Sequence, residues 1–338
     1  MSIDRPAPQG SVINTIQSLL DRGYTQTSGR VVNAIVASTN ADGSLIQKRL
    51  SELDDEAVRL REAGEKLAPD NAYVRALLAD LEPVLSTNGR RIDGVSGDLQ
   101  TQGADAAGTI TRQLALPGMS DAQLRAVGIA WNRPDPEAVN RLVGYVDSPA
   151  WASELGRYPQ LVLDVVNNQA IMGIAQGWNP LKTARAIRQM SEGLPAAQAN
   201  TLMRTLHLQS YRSATAIHQQ ANADILEGQI RIAALDDRTC MACIALHGTA
   251  LPLGARVNDH HNGRCTSVAI VRGRPRSITT GEQWFDSLPR ERKLTIAGPG
   301  KLEAIETGRA QMRDFVQPYD DDVFGEMIRE ASLKGVLG

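Results

Sequence analysis

The sequence predicts a mainly α protein with a small β-containing element late in the chain. Three features carry that reading: an apolar rhythm of fours and threes in the first third, a long Ala-, Gln- and Leu-rich stretch near the middle, and a brief change to period-two alternation around three clustered cysteines. At 338 residues the chain exceeds what one core usually serves, so two or three packing units are expected.

The first rhythm runs through Ile46, Leu50, Leu53, Ala57, Leu60, Gly64 and Leu67, which sets one helical face against a partner, and Ala68-Pro69-Asp70 stops it. A second run follows through Val74, Leu78, Leu81, Leu85, Asn88, Ile92, Val95 and Leu99, weakening towards Leu114. Pro83 and several glycines should kink or interrupt it. Residues 1–118 therefore read as an elongated helical region, a long N-terminal hairpin or coiled-coil-like arrangement.

After Leu116-Pro117-Gly118 a central helical domain is expected over 119–229. It has helices near 160–176 and 180–191, the latter started by Asn179-Pro180, and a long helix over 196–227 that Gly228 should end. Ile230, Ile232 and Ala234 then alternate with polar neighbours, and Val268-Ala269-Ile270-Val271 is a β-branched run, so short strands bracket the cysteines within 230–275. From 276 to 338 helix returns, with pieces expected near 280–288, 290–297, 299–308 and 321–335.

A formal net charge of -2 and 22% charged residues leave no general polycation, so any nucleic-acid contact must be local. No apolar stretch approaches the ~20 residues that span a bilayer, and residues 1–12 lack a basic patch followed by an apolar run. A chain made and kept in a cytoplasm is expected, without membrane contact.

In such a reducing compartment an odd number of cysteines is better explained by metal than by disulfides. Cys240-x-x-Cys243 offers two thiolates from one turn and Cys265 approaches from the start of a strand. His260, with His261 as the alternative, would complete a tetrahedral zinc site, whereas His247 is less well placed. Four protein ligands leave no open position, so the zinc would be structural and would hold 230–275 as a Cys/His metal knuckle. The competing reading is reduced, metal-free cysteines packed as small apolar groups.

Asp259-His260-His261 after a Cys-x-x-Cys also suggests a His-Asn-His nuclease, but no histidine follows His261 to serve as its second metal ligand. Arg256, Arg264, Arg272, Arg274 and Arg276 share a stretch with a single acid, Asp259, and are the candidates for phosphate contact. An ordinary solvated loop is the other reading, since no aromatic residue interleaves with them. His207 and His218 fit helix positions better than ligation, and Trp284, Phe285 and Leu288 should anchor the C-terminal helices to the knuckle. Phosphate-loop, dinucleotide and nucleophile-elbow signatures are absent from the sequence, and no enzyme is expected.

The run Asp236-Asp237-Arg238-Thr239-Cys240-Met241-Ala242-Cys243, the step Leu246-His247-Gly248, His260 five residues before Cys265, and Gly263-Arg264-Cys265 resemble the phage head-morphogenesis family, the Mu F-like minor head proteins. The likeness covers about 200–275 and continues more weakly through Gly281-Glu282-Gln283-Trp284-Phe285 and Gly298-Pro299-Gly300. Gly263 stands where that family often has a further cysteine. The resemblance implies a low-copy virion protein at the portal vertex, partnered by portal and major capsid proteins and assembled in a host bacterial cytoplasm. It would act in head morphogenesis and, as a further option, in DNA packaging or ejection. The alternatives are a metal-stabilised DNA-binding protein and a degenerate nuclease.

Overall fold

A computed structural model describes residues 43–274 and 278–338. Among them helix predominates, and the strands are few and short. The first helix, α1 (Gly43–Glu62), buries Ile46, Leu50, Leu53, Ala57 and Leu60, the residues of the apolar rhythm. It ends earlier than the sequence suggested, because Gly64 takes a left-handed φ of 70° and lets the Glu65 amide reach back to the Leu60 carbonyl at 2.8 Å. Leu67 stays buried beyond that end. What precedes Gly43 lies outside the described residues, and the long hairpin expected there falls partly with it.

Neither Pro83 nor the glycines interrupt α2 (Ala72–Ala115), contrary to expectation. Pro83 faces solvent, and Gly103 and Gly108 are the glycines of α2 that neighbouring groups approach most closely. A Cβ at 103 would stand 2.6 Å from the His207 carbonyl oxygen, and one at 108 would stand 2.9 Å from the His218 ring. The helices α3 (Asp121–Ala126), α4 (Pro136–Val143), α5 (Pro149–Ala175) and α6 (Pro180–Gln220) follow.

The separate helices expected at 180–191 and 196–227 are one helix, α6, and it stops before Gly228. Buried Asn222 explains the stop. Its amide donates to the His218 carbonyl at 2.8 Å and to the Asn132 carbonyl at 3.0 Å, while its side-chain oxygen accepts from the Asn132 amide at 2.8 Å. Pinned to the 132 loop, the chain turns, and Gly228 falls inside a strand.

Compactness groups the described chain into two units that do not follow the four consecutive segments read from the sequence. Among the described residues, one contains 43–99 and 146–204. The other contains 100–145 and 205–338, so α2 and α6 each contribute to both. In the first, Arg49 binds Asp80 at 2.7 Å, and the buried apolar residues include Leu50, Leu53, Leu77, Leu81, Ile92, Trp151, Val166 and Ile187.

The second unit carries the cysteines. Its three-stranded antiparallel sheet has the order β2-β1-β3, with β1 (Leu226–Ile232), β2 (Ala250–Leu251) and β3 (Thr266–Val271). Ile230 pairs with Val268 and Ile232 with Thr266. The polar partners of the predicted alternation do not face water, since Gln229 and Arg231 are as buried as the isoleucines. Gln229 donates to the Pro252 carbonyl at 2.9 Å and also to the Ala255 carbonyl, holding the loop after β2.

The short helix α7 (Met241–Leu246) packs Met241, Ile244 and Ala245 against Phe285, Leu302, Ala304 and Phe315. Trp284 and Leu288 join the same cluster, as anticipated. Each large apolar side chain so buried stabilises by roughly 1.5–3 kcal/mol. The C-terminal helices α8 (Gly281–Asp286), α9 (Arg290–Ala297) and α10 (Pro299–Glu306) match three of the four expected pieces.

The fourth does not. In place of a helix over 321–335 there is a hairpin, β4 (Val316–Asp321) and β5 (Gly325–Glu330), followed by a short α11 (Leu333–Leu337). Asp321 accepts from the Val323 and Phe324 amides at 3.0 and 2.9 Å, and Gly325 takes a φ of 68°. This three-residue turn chemistry outweighs helix propensity, and Met327 and Ile328 are buried from the returning strand.

Two glycines should respond to substitution in opposite directions. A Cβ on Gly281 would lie 1.8 Å from the Ile244 carbonyl oxygen, backbone that cannot step aside, whereas nothing lies within 4 Å of Gly94 in α2. Gly281→Ala should lose about 2 kcal/mol or more in chemical denaturation, and Gly94→Ala should gain roughly 0.5–1 kcal/mol. Equal effects from the two would contradict this packing.

Candidate metal centre

Sequence and local geometry bring the cysteines together in two steps. Cys240 caps α7, its sulfur accepting from the Cys243 amide at 3.4 Å, so one turn places both thiols on the same side. The turn before it is locked by Asp236, which accepts from the Thr239 hydroxyl at 2.9 Å and takes two bonds of 2.6 Å from the Arg264 guanidinium. The Arg264 bonds hold the Asp236 carboxyl far below its usual range and clamp the cysteine turn to the segment that carries His260 and Cys265.

In that segment His260 points its Nε2 at both sulfurs, 3.6 Å from Cys240 Sγ and 3.6 Å from Cys243 Sγ. His261 turns the other way, its Nε2 3.1 Å from Asp321 in the hairpin and its ring beside Phe324. The structure thus brings His260, and not His261, to the cysteines. His247 caps the far end of α7 and accepts the Ala233 amide at 2.9 Å through Nδ1; burial pushes its pKa down to about 4.

A residue the sequence analysis did not assign lies beneath the cysteines. Asp259 has no exposed surface, and its carboxylate touches nearly every component of the site. Oδ1 accepts from the His260 amide at 3.0 Å and from Cys243 Sγ at 3.3 Å. Oδ2 accepts from the Cys265 amide at 2.9 Å and from Arg212 Nη2 at 2.9 Å. Arg231 Nη2 stands 3.5 Å from Oδ1. Burial acts to raise this carboxyl, but Arg212, Arg231, His260 and the Cys265 amide together hold it below its ordinary value.

Gly263 makes room for this anion. A Cβ there would sit 2.2 Å from Asp259 Oδ2, so no cysteine or other side chain fits at that position. The only signal in the sequence was an acid placed next to a candidate ligand.

Two groups of donors, Cys240-Cys243-His260 and Cys243-Asp259-Cys265, each lie within 4.8 Å and share Cys243. These five residues are close enough to hold a metal ion. Tetrahedral zinc with sulfur at ~2.3 Å and imidazole nitrogen at ~2.0 Å sets its donors ~3.5 Å apart, which the two sulfur-to-nitrogen separations match.

Comparison with known proteins adds no guide. No family model, curated protein or solved structure matches the chain.

The arginine stretch is largely spent on the fold. Arg256 donates to Tyr145 at 2.7 Å, to the Glu326 carbonyl at 2.7 Å and to the Phe324 carbonyl. Arg264 binds Asp236, and Arg272 donates to the Ala223 carbonyl at 2.8 Å. Arg274 is exposed, and Arg276 lies outside the described residues. His207 and His218 are buried on α6, away from the donor groups, and no helix among the described residues is long and apolar enough to cross a membrane.

Without metal, the sulfur of Cys240 is the reactive one. Its hydrogen bond with Cys243, then its contact with His260, lowers its pKa to about 5, while the same pairing raises Cys243 and raises His260 to about 9. Cys240 is half-buried, and Cys243 and Cys265 are 3% and 4% exposed. Iodoacetamide at pH 6.5 should therefore modify Cys240 first in the metal-free chain, with the rate falling as pH drops through about 5. Peptide mapping that found Cys243 or Cys265 labelled first would contradict the arrangement.

Proposed function

We propose that this chain is a structural minor head protein of a tailed bacteriophage, and that its cysteine cluster holds one structural zinc through Cys240, Cys243, His260 and Cys265. The observation that carries the reading is the convergence of the motif residues on one place. Asp236, Thr239, Cys240, Cys243, His260, Arg264 and Cys265, which carry the resemblance in the sequence, bond to one another or gather about Cys243 and Asp259. A pattern produced by chance would not be expected to close on itself in this way.

The donor chemistry favours zinc over harder ions, since three sulfurs and an imidazole suit a borderline-soft dication. When bound, zinc supplies cross-linking rather than reactivity, because four protein donors fill its tetrahedron and leave no place for a water nucleophile. It would join α7 to the start of β3, two elements that no disulfide connects.

The assembly role follows from the same resemblance. Portal and major capsid proteins are the partners, the virion is the location, and the head interior, its wall or the portal vertex is the position. Contact with packaged DNA would be non-specific and slight, given how many of the arginines bond within the chain.

Two measurements test this reading. The purified chain should carry about one zinc per polypeptide by elemental analysis, and Cys240→Ser should release it and loosen 236–271 in hydrogen exchange while α1 keeps its protection. Metal content unchanged in that variant would refute the ligand set. Quantitative mass spectrometry of purified particles should find the chain at low copy relative to portal protein, and its absence from intact particles would refute the assembly role.

A further inference from the structure

We propose that the cleft between α2, the 131–134 loop and the last turn of α6 is a binding site for a small planar acid, an aromatic carboxylate that bears a hydroxyl group. The site is separate from the cysteine cluster and does not rest on the zinc reading.

The cleft encloses about 250 Å³ within the unit that carries the cysteines. That is room for about eight water molecules or one substituted ring, a little less than a drug-sized ligand needs. Ala104, Val139 and His218 are the buried part of its lining, and Trp131, Pro134 and Pro136 add flat apolar surface of the kind that stacks on a ring. Asn222 holds these pieces together, because its side chain bonds both the His218 carbonyl and the backbone of Asn132. Trp131 and Arg133, on either side of Asn132, are thereby fixed beside the end of α6.

His218 is 8% exposed, and its Nδ1 is buried with no partner. The nitrogen left to serve the cleft is Nε2, which lies on the edge of the ring next to Gly108. Burial pushes the His218 pKa down against the pull of Asp105, so the ring is neutral and carries a single proton. A buried N–H with no acceptor is the costlier orphan, so that proton belongs on Nε2 and Nδ1 stays bare. His218 thus offers the cleft one donor.

Asp105, exposed on the rim, supplies the matching acceptor. A hydroxyl placed between the two accepts from Nε2 and donates to the carboxylate, which a bare ring cannot do and which a second acid, repelled by Asp105, cannot do either. Arg112 and Arg133 complete the lining. Asp121 accepts from Arg112 Nη2 through Oδ1 and from Arg133 Nη2 through Oδ2, each at 2.6 Å. Two guanidiniums on one carboxylate leave a positive charge over at this edge, and Arg133 is 64% exposed, so its remaining donors are open to a ligand carboxylate.

The probe is para-hydroxybenzoate titrated into the full-length chain at neutral pH. Calorimetry should find one saturable site per chain, with benzoate and phenol each about tenfold weaker or more, and the His218 ring nitrogens should shift in nitrogen NMR spectra. Arg133→Gln should weaken para-hydroxybenzoate about tenfold or more and leave phenol unchanged. Gly108→Ala should abolish binding, since a Cβ there would stand 2.9 Å from His218 Nε2, whereas Gly97→Ala, with nothing within 4 Å, should not alter it.

No saturable binding up to about 10 mM probe, equal binding of the three compounds, or undiminished binding by Arg133→Gln would each overturn the proposal. Arg133 is exposed and its ion pair is of the kind worth little to stability, so that variant folds and the test stands even if Gly108→Ala does not fold.

Discussion

A carboxylate with no access to water must find every one of its partners inside the protein, and Asp259 is the residue around which the cysteine-bearing unit is arranged. Its oxygens gather amides from the residues on either side of the 261–264 turn, a thiol from α7, and guanidiniums from α6 and β1. Those elements come from widely separated stretches of sequence, and one anion ties them together. Gly263 is as much a part of this as the arginines, because any side chain there would occupy the space of the carboxylate.

The anion also explains why a loop-rich stretch can hold one short helix and a small sheet without a large apolar core of its own. The cluster behind the cysteines is small, with Ala233, Cys243, Val257 and Cys265 at its centre. Directional polar bonds at buried positions supply the specificity that bulk packing does not. The larger apolar cluster lies on the other side of α7, where Phe285 and Phe315 meet Met241 and Ile244. The helix that presents the thiols is therefore gripped by charge on one face and by hydrocarbon on the other.

Much of this was legible in the sequence, for identifiable reasons. Helices whose apolar positions recur every three or four residues, such as α1 with Leu50, Leu53, Ala57 and Leu60, are specified by a local pattern that survives into the fold. Cys240, Cys243 and His260 were legible because ligand spacing is itself a local signal. What escaped were residues whose roles depend on distant partners. Arg231 reads as the solvent side of an alternating strand, and only α6 and the 259–265 segment turn it into a buried charge. The end of α6 was misplaced because it is set by Asn132, far away in sequence, rather than by Gly228. The acids and apolar residues of 321–335 fit a helical period as well as a strand's, and the hairpin that forms instead rests on the bonds Asp321 makes to its own turn.

The cysteine turn is completed by a group from far along the chain. The first amide of α7, that of Met241, is capped by the Glu330 side chain at 2.8 Å, and Glu330 is held in turn by Lys301. Since the cap is supplied 89 positions downstream, the cysteine turn emerges from the ribosome well before the group that completes it. Completion of the cysteine turn is thus coupled to the arrival of the β4–β5 hairpin.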